Sequence, residues 1–178
     1  MVKKQKSCFA FIDSQNLNLG VANSIKNQSG SVIYTGWKFD FKKFRRYLSD
    51  KYNVSKAYLF IGYVPSNEPL YTFLKNSGYI LIFKPTLKQN IKGKKITKGN
   101  VDSEIVLYSA AKLIEEYDKA ICVSGDGDFY CLYEYLIEKK KLEKILIPNK
   151  YSYSSLLRKF RPHIDYVSSK KRILKRKR

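Results

Sequence analysis

The sequence predicts one α/β domain built as three layers, α/β/α, in which helices cover both faces of a central, mainly parallel sheet of about five strands. Three observations lead there. Short apolar runs alternate with amphipathic segments of helical length, the pattern of strand and crossover helix in a parallel sheet. Two of the runs, Phe9-Ala10-Phe11-Ile12-Asp13 and Ile121-Cys122-Val123-Ser124-Gly125-Asp126, stop abruptly at an acid. The chain has 178 residues, enough for one substantial core and too few for two.

Ser7 to Ile12 reads as the first buried strand. Asn16 to Ala22 follows as a short helix or ordered loop, and Asn23 to Gly36 is polar and Gly/Ser-rich, as a loop or partly disordered insertion would be. Asp40 is placed to cap a helix through Ser49, because Phe41, Phe44, Tyr47 and Leu48 recur at helical spacing. Lys56 to Val64 is the second strand. Ser66 opens a helix carrying Leu70, Phe73 and Leu74, and Gly78 is its expected C-terminal stop. Tyr79 to Phe83 is the third strand, and the lysine-rich stretch from Lys84 to Gly99 has loop or hairpin character. Asp102 to Tyr117 reads as a helix with Val106, Ala110, Leu113, Ile114 and Tyr117 on one apolar stripe, and Asp102 lies one turn before Val106 on the same stripe. Lys119 to Val123 is the fourth strand, Asp128 to Lys139 its following helix, and Lys144 to Ile147 the fifth strand. Tyr151 to Arg161 is expected as a last short helix, and Ile164 to Val167 as an added edge strand. The domain is expected to span 7–168, between a basic N-terminal extension, 1–6, and a basic tail, 169–178.

Charge points to the partner. Lys and Arg number 35 against 15 Asp and Glu, for a net charge of +20. Such a surplus attracts polyanions, nucleic acid or an anionic membrane surface. No apolar run approaches the roughly 18 residues that a membrane helix needs, and the run behind the basic start breaks at Asp13, so a cytoplasmic protein with no membrane partner is expected. Cys8, Cys122 and Cys131 are odd in number and lack CxxC spacing, which fits reduced thiols better than a disulfide framework or a zinc site. With His163 the only histidine, zinc hydrolysis and histidine-based triads are disfavoured.

The aspartates carry the chemistry. Gly125 and Gly127 allow a sharp turn that brings backbone close to a ligand. If Asp13, Asp102, Asp126 and Asp128 converge, they repel one another unless a cation neutralises them. All-oxygen donors favour Mg²⁺ or Mn²⁺, ions that assist phosphodiester hydrolysis, while lysines grip phosphates without reading sequence. Each acid also has an ordinary reading. Asp126 and Asp128 suit a helix cap, Asp102 a first-turn acid, Asn16 an N-cap, and Glu104 a solvated surface.

Phe11-Ile12-Asp13 with Asn16, then Lys98-Gly99-Asn100-Val101-Asp102, then Ser124-Gly125-Asp126-Gly127-Asp128-Phe129, in that order, resemble the NYN domain. More closely they look like its LabA-like branch, within the PIN-like nuclease superfamily. The match runs over about residues 7 to 168 and includes the segment from Tyr153 to Arg158. This resemblance implies a PIN-like, Rossmann-like fold and a metal-dependent ribonuclease, an endoribonuclease that hydrolyses RNA with metal-activated water. It implies that Asp13, Asp102, Asp126 and Asp128 bind Mg²⁺ or Mn²⁺, with Asn16 supporting them at the catalytic site. Lys92, Lys94, Lys95 and Lys98 are the expected nucleic-acid contacts, RNA ahead of DNA, and a homodimer is compatible with the reading. One position departs from the family pattern: about two turns into the helix after the central acid, members often carry Asp or His, where this chain has Tyr108. The alternative is a non-catalytic RNA-binding or regulatory module on the same scaffold.

Overall fold

The computed structural model describes residues 7–85, 87–91, 94–98 and 101–177, with side chains over 7–84 and 101–177. In chain order the elements are β1 (Cys8–Asp13), α1 (Ser14–Ala22), β2 (Ile25–Lys26), β3 (Val32–Tyr34), α2 (Phe41–Tyr52), β4 (Val54–Tyr63), α3 (Glu68–Asn76), β5 (Tyr79–Pro85), β6 (Leu87–Ile91), β7 (Lys94–Lys98), α4 (Asp102–Leu107), β8 (Lys119–Val123), α5 (Tyr130–Glu138), β9 (Leu142–Ile147), β10 (Ile164–Tyr166) and α6 (Lys171–Leu174). Six strands form the central sheet in the order β10-β9-β8-β1-β4-β5. Every pairing within it is parallel.

β1 is buried along its whole length, as a continuous apolar run at the centre of a parallel sheet must be. Its side chains alternate between two cores. Cys8, Ala10 and Ile12 face a cluster with Leu17 and Val21 of α1, Phe44 and Leu48 of α2 and Leu74 of α3. Phe9 and Phe11 face the opposite cluster, with Ile105 of α4, Leu132 and Leu136 of α5, and Leu157 and Phe160. This is the expected three-layer arrangement. From β1 the chain runs outward through β4 to β5, then returns to β8 on the other flank of β1. Strand order therefore reverses between β1 and β8, and their carboxyl ends flank the crevice where such sheets bind ligands.

Several elements match the sequence closely. Asp40 caps α2, its carboxylate accepting from Lys43 N at 3.0 Å. Gly78 follows α3 with φ of +91°, a conformation that a side chain would strain. Ile164–Tyr166 adds the edge strand. Others differ. The stretch expected as a loop between Asn23 and Gly36 contains the small antiparallel pair β2–β3. The lysine-rich stretch, by contrast, has the hairpin character expected of it, residues 87–91 pairing with 94–98 as β6–β7. The last predicted helix is 3₁₀, Ser155–His163, and it includes Pro162.

The helix expected from Asp102 to Tyr117 is shorter, and its inward face differs at its start: Ala110, Leu113, Ile114 and Tyr117 of the expected stripe pack inward, but Val106 does not. α4 ends at Leu107 and a π-helical segment, Tyr108–Lys112, follows. Ile105, Ser109 and Tyr117 are buried, whereas Val106 is exposed. The wider π turn shifts the register of the inward face, which a strict 3.6-residue reading misplaces. Tyr117 closes this segment by donating its hydroxyl to the Ser109 carbonyl at 2.6 Å.

Packing continues past residue 168. Leu174 is buried in the same cluster as Phe44, and the backbone joins Asp40 N to Leu174 O at 3.0 Å and Arg176 N to Lys38 O at 2.9 Å. Asp165 on β10 helps anchor this end, accepting from Lys51 at 2.8 Å, Tyr52 at 2.9 Å and Lys170 at 3.1 Å. Residues expected as a basic tail thus contribute to the core. Tyr117→Phe removes the hydroxyl from a buried carbonyl and should lower the unfolding free energy by about 1–3 kcal/mol, measured by urea denaturation at constant m-value.

Candidate active site

β1 delivers Asp13 to the crevice, where it caps α1 by accepting from Asn16 N at 2.9 Å. The Asn16 side chain then crosses the crevice, its Oδ1 accepting from Gly125 N at 2.9 Å. This bond ties the loop after β8 to the end of β1. Within that loop Ser124 Oγ accepts from Asp126 N at 3.2 Å, and the Asp126 carboxylate accepts from Asp128 N at 3.0 Å. Asp126 therefore caps the 3₁₀ turn Gly127–Phe129, and the capping reading of this acid is correct as far as it goes. Asp102 stands in the first turn of α4 without acting as its N-cap.

Three of the four predicted acids meet. Asp102, Asp126 and Asp128 each present a carboxylate oxygen, and these oxygens lie within 4.8 Å of one another. Asp102 and Asp126 are half-buried and Asp128 is exposed. Asp13 is buried beside the three without belonging to that tight set. Burial pushes its carboxyl up from the ordinary 3.8 to about 6. The negative charges of Asp102 and Asp126 add to that rise, while the N–H groups of Asn16 and Gln15 oppose it. Crowded oxygens of this kind suit a hard divalent cation, which would relieve their repulsion.

Phe11, Ile105, Phe129 and Tyr133 are packed in one core cluster between β1, α4 and the segment that follows β8. One wall comes from a segment that sequence reasoning did not include among the site residues. Asn16 and the loop from Gly125 to Asp128 line an open cleft of about 450 Å³, and Ser152, Tyr153, Ser154 and Leu156 close its other side. Ser154 N donates to Gly125 O at 3.0 Å. A Cβ on Gly127 would come within 2.3 Å of Ser154 Oγ, and one on Gly125 within 3.2 Å of Tyr153 Cβ. The two glycines, expected to bring backbone close to a ligand, lie close to a segment of the chain itself.

Glu104 is turned to an ion pair with Lys84 at 3.0 Å and is not one of the three clustered acids. Tyr108 packs edge-on to Phe60, with ring centroids 5.6 Å apart, and the Lys112 ammonium lies 4.5 Å from its centroid. Lys92 lies outside the described residues. Lys94, Lys95 and Lys98 stand on β7, which leads toward Asp102.

The NYN domain family matches residues 9–166, nearly the whole of this fold and every acid of the cluster. The chain belongs to the NYN domain family. NYN domains belong to the PIN-like nuclease superfamily, for which a nucleic acid is the substrate. A crystal structure of a protein of unknown function from Vibrio parahaemolyticus is similar in fold, with a TM-score of 0.64 and 22% identity over 94% of this chain and 96% of that one. No curated protein matches. Among the described residues, no helix of this NYN domain is long and apolar enough to cross a membrane.

The Asp13 carboxyl generates a pH dependence. Its proton is held more tightly in the folded state, so the stability it contributes is full below about 3.8 and is lost as pH rises through about 6. Urea denaturation without divalent ions should therefore show Asp13→Asn to be more stable than the parent chain by roughly 1–3 kcal/mol at pH 7.5, with little difference at pH 3.5.

Proposed function

We propose that this NYN domain is a metal-dependent ribonuclease of the LabA-like branch, an endoribonuclease acting on RNA in the cytoplasm. The observation that carries the reading is the convergence of Asp102, Asp126 and Asp128 within 4.8 Å, at the switch point of a parallel sheet, in a chain of net charge +20. An acid cluster repels a phosphate backbone, yet the chain as a whole attracts that backbone. A divalent ion at the cluster reconciles the two. Mg²⁺ or Mn²⁺ fits the donor set, which is all carboxylate.

Asp102, Asp126 and Asp128 would hold the ion, with Asp13 adding negative charge behind them. The chemistry such an ion supplies when bound is polarisation of the phosphodiester and a lowered pKa for the attacking water. The protein's own groups do the rest. Asp13 holds the N-terminus of α1, and Asn16 carries that position across to Gly125, so the loop bearing Asp126 and Asp128 is set relative to β1. Val101, buried at the start of α4, anchors Asp102 from the third direction. Preorganised carboxylates need not be gathered as the reaction begins. Lys92, Lys94, Lys95 and Lys98 would contact the RNA backbone, giving affinity that falls with salt and carries no sequence information. Tyr108 leaves the site one acid or histidine short of the common family pattern, with Asp102, Asp126 and Asp128 as its ion-binding set. Since all three come from one chain, a homodimer would not be needed to complete them.

The experiment is cleavage of labelled single-stranded and structured RNA by the purified chain with Mg²⁺, Mn²⁺ or EDTA. Asp102→Asn and Asp126→Asn should each lower cleavage by more than the roughly 10–100-fold that a supporting residue at a metal site costs, while RNA binding at low salt persists. RNA binding without divalent-dependent turnover, unaffected by either substitution, would instead establish the non-catalytic binding module.

A further inference from the structure

Two basic segments, far apart in the sequence, are folded against each other on the α2 side of the sheet. Residues 38–46 and 171–177 hold ten lysines and arginines and one acid, Asp40. An antiparallel bridge between Phe39 and Lys175 sets the two strips side by side, with main-chain bonds from Asp40 N to Leu174 O at 3.0 Å and from Arg176 N to Lys38 O at 2.9 Å. The Lys43 ammonium donates to the Lys175 carbonyl at 2.7 Å, and Leu174 is buried in the same cluster as Phe44. Lys38, Lys42, Arg172, Lys175 and Arg176 are exposed along this seam, where the Asp40 carboxylate already accepts from Lys43 N. Like charges gathered in this way repel one another, and a bound anion relieves the repulsion. Apolar packing and main-chain bonds hold the seam together, so its cations are presented on a fixed surface.

We propose that this seam is a second nucleic-acid contact, which takes the phosphate backbone on the face of the sheet opposite α4 and α5. Phe39, Phe44 and Leu174 pack with Ala10 and Ile12, whereas Ile105 of α4 and Leu132 of α5 pack with Phe9 and Phe11 on the other face. The proposal rests on a nucleic acid being the substrate of this NYN domain, and adds a place where a strand longer than the acid cleft is held. A membrane surface fits less well. A helix lying on a membrane buries an apolar face among the headgroups. α6 instead turns Leu174 into the protein's own core and leaves Ile173 as its exposed apolar side chain. Lysine and arginine contacts to phosphate give affinity and position without reading bases, so the seam anchors a strand whatever its sequence. Each phosphate neutralised on a single strand adds about 0.7 to the steepness with which log affinity falls with log salt.

The test measures binding of labelled single-stranded oligouridine to the full chain in EDTA over a range of salt concentrations. One variant carries Lys42→Gln, Lys175→Gln and Arg176→Gln in the seam. Its control carries Lys56→Gln, Lys139→Gln and Lys140→Gln, which remove the same charge from elsewhere on the surface. All six side chains are exposed, so both variants should keep the parent's circular dichroism. The seam variant should bind more weakly than the control, with a log–log salt slope shallower than the parent's by about 2, the share of three phosphate contacts. Equal affinities and slopes for the two variants would overturn the seam as a nucleic-acid contact. So would loss of binding to phosphatidylserine vesicles by the seam variant with its RNA slope unchanged, which would make the surface a membrane contact. The shallower slope in a chain that hydrolyses no RNA with Mg²⁺ or Mn²⁺ would uphold the seam while removing the nuclease reading; divalent-dependent cleavage with equal slopes would do the reverse.

Discussion

Three carboxylate oxygens within 4.8 Å of one another form a high-energy arrangement, and much of the fold can be understood as what holds it together. Like charges at that range favour protonation or separation unless the backbone resists both. Here the acids are mounted on three separate segments, each at the end or start of an element. Asp126 and Asp128 follow β8, Asp102 opens α4, and Asp13 ends β1 behind them. Buried strands and packed helices move as units, so the acids are not free to drift apart as they would be on one long loop. The cost is visible at Asp13, whose carboxyl is pushed up to about 6 by burial first and by its acidic neighbours second.

The same residues serve structure and site together, and a choice between the two readings is therefore misplaced. Asp13 caps α1, and Asp126 caps the turn that leads into α5. Asn16 accepts the Gly125 N–H and so fastens the two sides of the switch point. A cap fixes a carboxylate's direction by engaging one oxygen and leaving the other available. In a site that depends on carboxylate positions, capping is a means of preorganisation. The glycines work similarly: Gly125 and Gly127 are small because the segment from Ser152 to Leu156 packs against them, and that contact makes the acid loop one wall of a cleft.

Charge is divided between near and far. Asp13, Asp102, Asp126 and Asp128 stand at the crevice, while 35 lysines and arginines against 15 acids leave the molecule as a whole strongly positive. Long-range attraction to a polyanion and short-range demand for a cation are complementary in a nuclease, since one gathers substrate and the other defines where chemistry occurs.

How much of this was legible in the sequence follows from the range of the forces involved. Alternation of apolar runs and helical stripes identified the parallel α/β class, and strands ending on Asp13 and before Asp126 located the crevice, because strand burial and the punctuation of glycine and acid are local signals. Asp102, Asp126 and Asp128 were legible as site candidates for the same reason. The π-helical turn at Tyr108–Lys112 was not, since a single wider turn shifts the inward face from Val106 to Ile105 and Ser109 without altering composition. Nor was the packing of Leu174, a lone apolar residue in a basic stretch, whose partner Phe44 is distant along the chain. The sequence by itself determined which residue types stand at the ends of which elements. Only the tertiary structure decided that Asp13 lies outside the tight set of three acids and that Ser154 and Leu156 line a cleft with Asp126 and Asp128, because those placements depend on packing between segments far apart in the chain.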